Sequence, residues 1–143
     1  MYKLSNRSLN NLKSVDLNLI NIVKHAIKIT TQDFMVIEGL RTREQCYINY
    51  GKGRTQAECI KKQVPAKYAN PNTAKVTWLT NPLGSKHVTG RAVDLVPFPL
   101  DWNDISKFNK IAEAMKKAAQ ELKIDLWWGG DWKHSKDYPH FEV

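Results

Sequence analysis

Two short segments constrain this chain more than any other feature: Ser85-Lys86-His87-Val88-Thr89-Gly90-Arg91-Ala92-Val93-Asp94 and Asp137-Tyr138-Pro139-His140. Each supplies an imidazole and a carboxylate around turn-forming residues. His87 and Asp94 are seven residues apart, a spacing that would share a face if the stretch were helical. Gly90, the β-branched Val88 and Thr89, and the run Ala92 to Val96 argue instead for a turn leading into a strand. His87 then comes from the loop, Asp94 from the strand and His140 from a last short strand, and the three can face one ion.

That set has the layout of a catalytic zinc site: three protein ligands, an open position for water, and a carboxylate left over. Imidazole and carboxylate suit such a site because thiolates donate enough charge to quench the Lewis acid. The spare carboxylate is Asp137, three residues before His140 across Pro139, where it can take a proton from bound water and pass it to a leaving amine. Either motif alone carries little specificity. His134 is a rival third ligand, but it follows Trp132-Lys133 in a polar loop, which favours His140. His25 lies inside a helical pattern without a partner motif and reads as a surface or packing residue. Arg41 reads equally as an ordinary surface charge paired with Glu38 or Glu44.

At 143 residues the chain fits one domain. No apolar run approaches a membrane span, and Met1-Tyr2-Lys3-Leu4-Ser5-Asn6-Arg7 lacks the apolar stretch of a secretory signal, so folding in a cytoplasm is expected. Cys46 and Cys59 are too few for a disulfide framework and read as free thiols. The net charge of +8 draws the protein to polyanions. Its basic residues are dispersed apart from Lys61-Lys62 and Lys116-Lys117, and no nucleic-acid-binding motif accompanies them, so nucleic acid is not the expected partner. An anionic bacterial envelope satisfies the charge, and so does a merely solvated basic surface.

Leu19, Ile22, Val23, Ala26 and Ile27 recur at helical spacing between Asp16 and Thr30, with Ser14 or Asp16 as N-cap. Phe34 to Leu40 reads as a buried strand delivering Arg41 to its end, where Thr42 and Gln45 have capping-box spacing and open a short helix that Gly51 can close. Lys52 to Gly84 reads as a long irregular insertion, the rim of a binding groove, with one strand candidate from Lys75 to Thr80. Ala92 to Val96 is a strand stopped by Pro97. Ile105, Phe108, Ile111, Ala112, Met115, Ala119 and Leu122 mark the clearest amphipathic helix, capped by Asp104 or Asn103. Asp125 to Trp128 and His140 to Val143 complete the strands around a Gly129-Gly130 turn. The pattern predicts an α+β domain with a largely antiparallel sheet flanked by helices.

Ser85 to Asp94 matches the S-x-H-x-x-G-x-A-x-D signature of zinc peptidases of the D-Ala-D-Ala carboxypeptidase type, which share a fold with hedgehog signalling domains. Trp128-Gly129-Gly130-Asp131-Trp132 followed by Asp137 to Glu142 resembles the closing motif of the phage endolysin branch, the L-alanyl-D-glutamate endopeptidases. Glu38-Gly39-Leu40-Arg41-Thr42 with Glu44-Gln45, and the opening Ser5-Asn6-Arg7-Ser8, are similar to further family blocks. The resemblance implies zinc on His87, Asp94 and His140, with Asp137 as general base. It also implies Arg41 as the cation that polarises the scissile carbonyl or neutralises the oxyanion. Ser85, Trp128 and Asp131 fall on the substrate side, with Ser85 orienting the site by hydrogen bonding.

The expectation is thus a single zinc peptidase domain over 1–143, monomeric and without a separate cell-wall-binding domain. It would cut the peptidoglycan stem peptide between L-Ala and D-Glu, waiting in the host cytoplasm until a separate protein releases it to the wall. A D,D- or L,D-carboxypeptidase is the alternative within the enzyme class. A metal-bound binding module without catalysis is the alternative outside it, and the presence of both Asp137 and Arg41 speaks against that.

Overall fold

The computed structural model describes residues 1–143, which divide into two compact units, residues 1–40 with 89–143 and residues 41–88. In chain order the elements are α1 (Asn6–Leu12), α2 (Leu17–Ile29), β1 (Phe34–Glu38), α3 (Arg43–Gly51), α4 (Gln56–Lys61), β2 (Ala92–Pro97), α5 (Ile105–Leu122), β3 (Trp127–Trp128) and β4 (His140–Glu142). The first unit holds the one sheet, in the order β1-β2-β4-β3 with every neighbouring pair antiparallel. The α+β class with an antiparallel sheet is therefore the fold observed.

Side chains alternate between the face packed on the main core and a second face that carries both apolar residues and the acid and imidazole groups described below. Phe34, Val36, Val93, Leu95 and Phe141 are buried in the main core, where they meet Leu19, Ile22, Val23 and Ala26 of α2 and Ile111, Met115 and Ala118 of α5. Asp94 and His140, one step out of phase, belong to the other face. The two long helices begin at the caps the sequence offers: the Asp16 carboxylate accepts from the Asn18 and Leu19 N–H groups, and Asp104 accepts from Ser106. His25 of α2 pairs with Glu121 of α5 across the helix pair, a packing role.

The seven-residue α1 has no counterpart in the sequence reading, and it closes an open edge. The buried Ser8 hydroxyl accepts the Val36 N–H at 3.0 Å, and the Asn11 amide donates to the Val36 carbonyl at 2.8 Å. These contacts satisfy backbone groups of β1 that an edge strand would otherwise expose.

The second unit is less irregular than expected. α4 starts on a full capping box between Thr55 and Glu58, and Tyr50, Cys59 and Val64 form a small core of their own. The buried Arg54 guanidinium lies 4.0 Å over the Tyr50 ring and donates to the carbonyls of Tyr50 and Thr77, both at 2.9 Å. Lys75 to Thr80 has no regular secondary structure and is not the expected strand: the Thr77 carbonyl is taken by Arg54 rather than by a neighbouring strand. Cys46 and Cys59 form no disulfide and are buried.

Phe141 is fully buried between the sheet and its helices and stacks with Trp128 at 6.2 Å. Phe141→Ala should cost about 3–5 kcal/mol of stability, read as a fall in the urea midpoint. An unchanged midpoint would contradict the core assignment.

Candidate metal centre

The site begins with strand register. In the β2–β4 ladder Asp94 stands directly opposite His140, so an acid and an imidazole are held side by side by backbone pairing. His140 Nδ1 lies 3.5 Å from Asp94 Oδ1, and its Nε2 lies 2.8 Å from Glu142 Oε1 on the same face of β4.

His87 is carried by a single 3-10 turn, Lys86–Thr89, that leads through Gly90 directly into β2. The Ser85 hydroxyl accepts the His87 N–H at 3.2 Å, and the Ser85 carbonyl accepts from Val88 at 3.1 Å, so Ser85 shapes the turn that aims the imidazole. Gly90 sits at φ +74, and a Cβ there would meet the Ser14 carbonyl oxygen at 2.6 Å. One donor atom each from His87, Asp94 and His140 lies within 4.8 Å of the others, with both histidines buried.

The remaining residues singled out in the sequence are distributed around this trio. Asp137 Oδ2 lies 4.0 Å from His140 Nδ1, and its side chain stays 45% exposed, open to water. A tight backbone approach holds it there: the Asp137 N–H donates to the Gly129 carbonyl at 3.0 Å, and a Cβ on Gly129 would fall 2.2 Å from the Asp137 carbonyl oxygen. The Arg41 N–H donates to the His87 carbonyl at 2.8 Å, fastening the start of the second unit to a donor residue. His134 is exposed and lies outside the trio.

A family model described as phage L-alanyl-D-glutamate peptidase matches residues 1–68 and 66–142. The chain belongs to this family. It is 30% identical to the L-alanyl-D-glutamate peptidase of Escherichia phage T5 over 145 residues, 99% of this chain and 89% of that protein. It also resembles the crystal structure of Serratia marcescens L-Ala D-Glu endopeptidase ChiX, with a TM-score of 0.71 and 30% identity over 99% of this chain and 90% of that one.

The donor chemistry of this family member fits a divalent cation. Two imidazoles and one carboxylate converge, with both histidines buried and Asp94 half-buried. Burial alone would lower the His140 pKa, yet the ring is raised above 6.5 because hydrogen bonds to Asp94 and Glu142 and the charges of Asp94 and Asp137 outweigh desolvation. The surroundings thus favour a positive charge at this place.

Two residues expected on the substrate side make contacts within the fold. Trp128 is buried, and its indole N–H donates to the Tyr138 carbonyl at 2.7 Å. Asp131 forms a 2.8 Å ion pair with Lys116 of α5, whose ammonium lies 5.0 Å over the Trp128 ring. Trp132, not singled out from sequence, lies with its ring 5.2 Å from that of His140 and remains 36% exposed. Glu142 was missed as well. Alternation along the strand read over His140 to Val143 already puts it on the same face as His140.

The raised pKa has a signed consequence for the metal-free protein. The stabilisation from protonated His140 is fully present below the unfolded value near 6.5 and is lost as pH rises through the higher folded value. In chelator, the stability gap between wild type and His140→Gln should therefore narrow as pH is raised from below 6.5. A gap that widens with pH would reverse the assignment.

Proposed function

We propose that this chain is a zinc-dependent endopeptidase that cuts the stem peptide of peptidoglycan between L-Ala and D-Glu, as an endolysin in phage lysis of a bacterial host. The observation that carries the reading is the meeting of His87, Asp94 and His140 in a member of the phage L-alanyl-D-glutamate peptidase family. The three residues would hold zinc. When bound, zinc supplies a Lewis acid for the scissile carbonyl and lowers the pKa of water.

The chain's own residues supply the rest. The half-exposed Asp137 carboxylate accepts the proton of the attacking water and returns it to the departing D-Glu amine, which cannot leave as an anion. Arg41, tethered by its backbone to His87, offers a permanent cation for the charge that develops on the carbonyl oxygen. Ser85 fixes the His87 turn. Residues 1–143 act as one catalytic domain, with the peptidoglycan stem peptide as partner. No helix is long and apolar enough to cross a membrane, and a separate protein would give access to the wall.

Purified peptidoglycan incubated with the protein should yield new N-terminal D-Glu by mass analysis, and a chelator should abolish it. Released D-Ala would point to a carboxypeptidase, and unchanged wall to a binding module. Asp137→Asn should keep its zinc while losing about two to four orders of magnitude in rate. Near-normal turnover in that variant would remove Asp137 from the mechanism.

The net charge of +8 suits retention on an anionic wall. Activity on whole walls should then fall steeply with added salt while activity on a short soluble stem peptide does not. Parallel salt curves would assign the basic surface to solubility alone.

A further inference from the structure

The His140 imidazole is held from both ends. Its Nδ1 faces Asp94 at 3.5 Å and Asp137 at 4.0 Å, while its Nε2 meets the Glu142 carboxylate at 2.8 Å. A neutral imidazole carries one N–H, so whichever nitrogen donates leaves the other as the lone-pair donor. We propose that Glu142 is the positioning residue of the metal centre: it accepts the His140 Nε2–H, fixing the tautomer and ring orientation in which Nδ1 is presented beside Asp94. This role rests on the zinc reading above.

The backbone makes the arrangement durable. β4 is an interior strand, and Glu142 is paired on both sides, with Ala92 of β2 and with Trp127 of β3. Its side chain leaves on the same face as His140 because the two are two residues apart in a strand. The carboxylate is only 19% exposed, and a carboxylate withdrawn that far from water is costly unless it receives hydrogen bonds from donors such as this ring. A carboxylate behind a ligating histidine also raises the basicity of the ligand nitrogen. Asp94 and Glu142 thus divide the work on one ring, the first beside the ion and the second behind the imidazole.

The test uses the full chain with Glu142→Gln, which keeps an acceptor oxygen but no charge, and Glu142→Ala, which removes both. Zinc affinity would be measured by chelator competition. In the metal-free protein at alkaline pH, where the ring is neutral, nitrogen NMR would report the His140 tautomer. Glu142→Ala should weaken zinc binding by about 10–100-fold and lose the preference for the Nε2–H tautomer. The near-isosteric Glu142→Gln should keep the tautomer and lose less affinity, and it guards against a variant that fails to fold. A purely structural ion pair would move thermal stability and leave the tautomer alone. Affinities of both variants within twofold of wild type, or an unchanged tautomer in Glu142→Ala, would overturn the role. A wild-type protein that takes up no zinc would overturn the metal reading instead, and the tautomer would then decide by itself whether Glu142 holds the ring.

Discussion

The cross-strand pair of Asp94 and His140 is the constraint on which the rest of the structure hangs. Two polar groups on neighbouring strands can be held opposite each other only if the register is fixed, and register is fixed by what lies on the opposite face. Val93, Leu95 and Phe141 bind that face to α2 and α5. A slip of one residue would turn Asp94 and His140 into the apolar core and Phe141 out of it, which the core forbids. The geometry of the site is thus a by-product of hydrophobic burial on the far side of the sheet.

Around that pair the chain gathers negative charge and then controls it. Asp94, Asp137 and Glu142 all lie near one buried imidazole, and together they keep a proton on it more readily than water would. Such a cluster is unfavourable without a cation. The acids are graded in exposure, with Asp94 and Glu142 at 16% and 19% and Asp137 at 45%. Two are shielded for holding, and the third is wet enough to exchange protons.

Much of this was legible in the sequence where a period or a motif carried it. The apolar stripes of α2 and α5 marked both helices and their caps, and the His87, Asp94 and His140 spacing marked the donors. Short elements were not legible in the same way. α1 spans seven residues, too few for a stripe to emerge, and its value lies in side-chain bonds to a strand far along the chain. α4 was announced by Thr55 and Glu58 at capping-box spacing, a signal that went unused inside a segment read as irregular. The stretch from Lys75 to Thr80 has the β-branched content of a strand but no partner edge, and strand propensity without a partner decides nothing. Of the two tryptophans in the strand read over Asp125 to Trp128, the pleat turns Trp128 inward and leaves Trp127 outside.

The order of strands in the sheet has a further consequence, for the time course of folding. β3 precedes β4 along the chain, yet its one ladder is to β4, and β4 in turn reaches the sheet by pairing with β2 across the whole of α5. β3 therefore has no edge to join until the last strand has docked. Completion of the sheet and arrival of the third donor are one event, a long-range closure of the slow kind. A chain still lacking its final strand has neither a finished sheet nor a complete donor set, so the donors come together only when the sheet does.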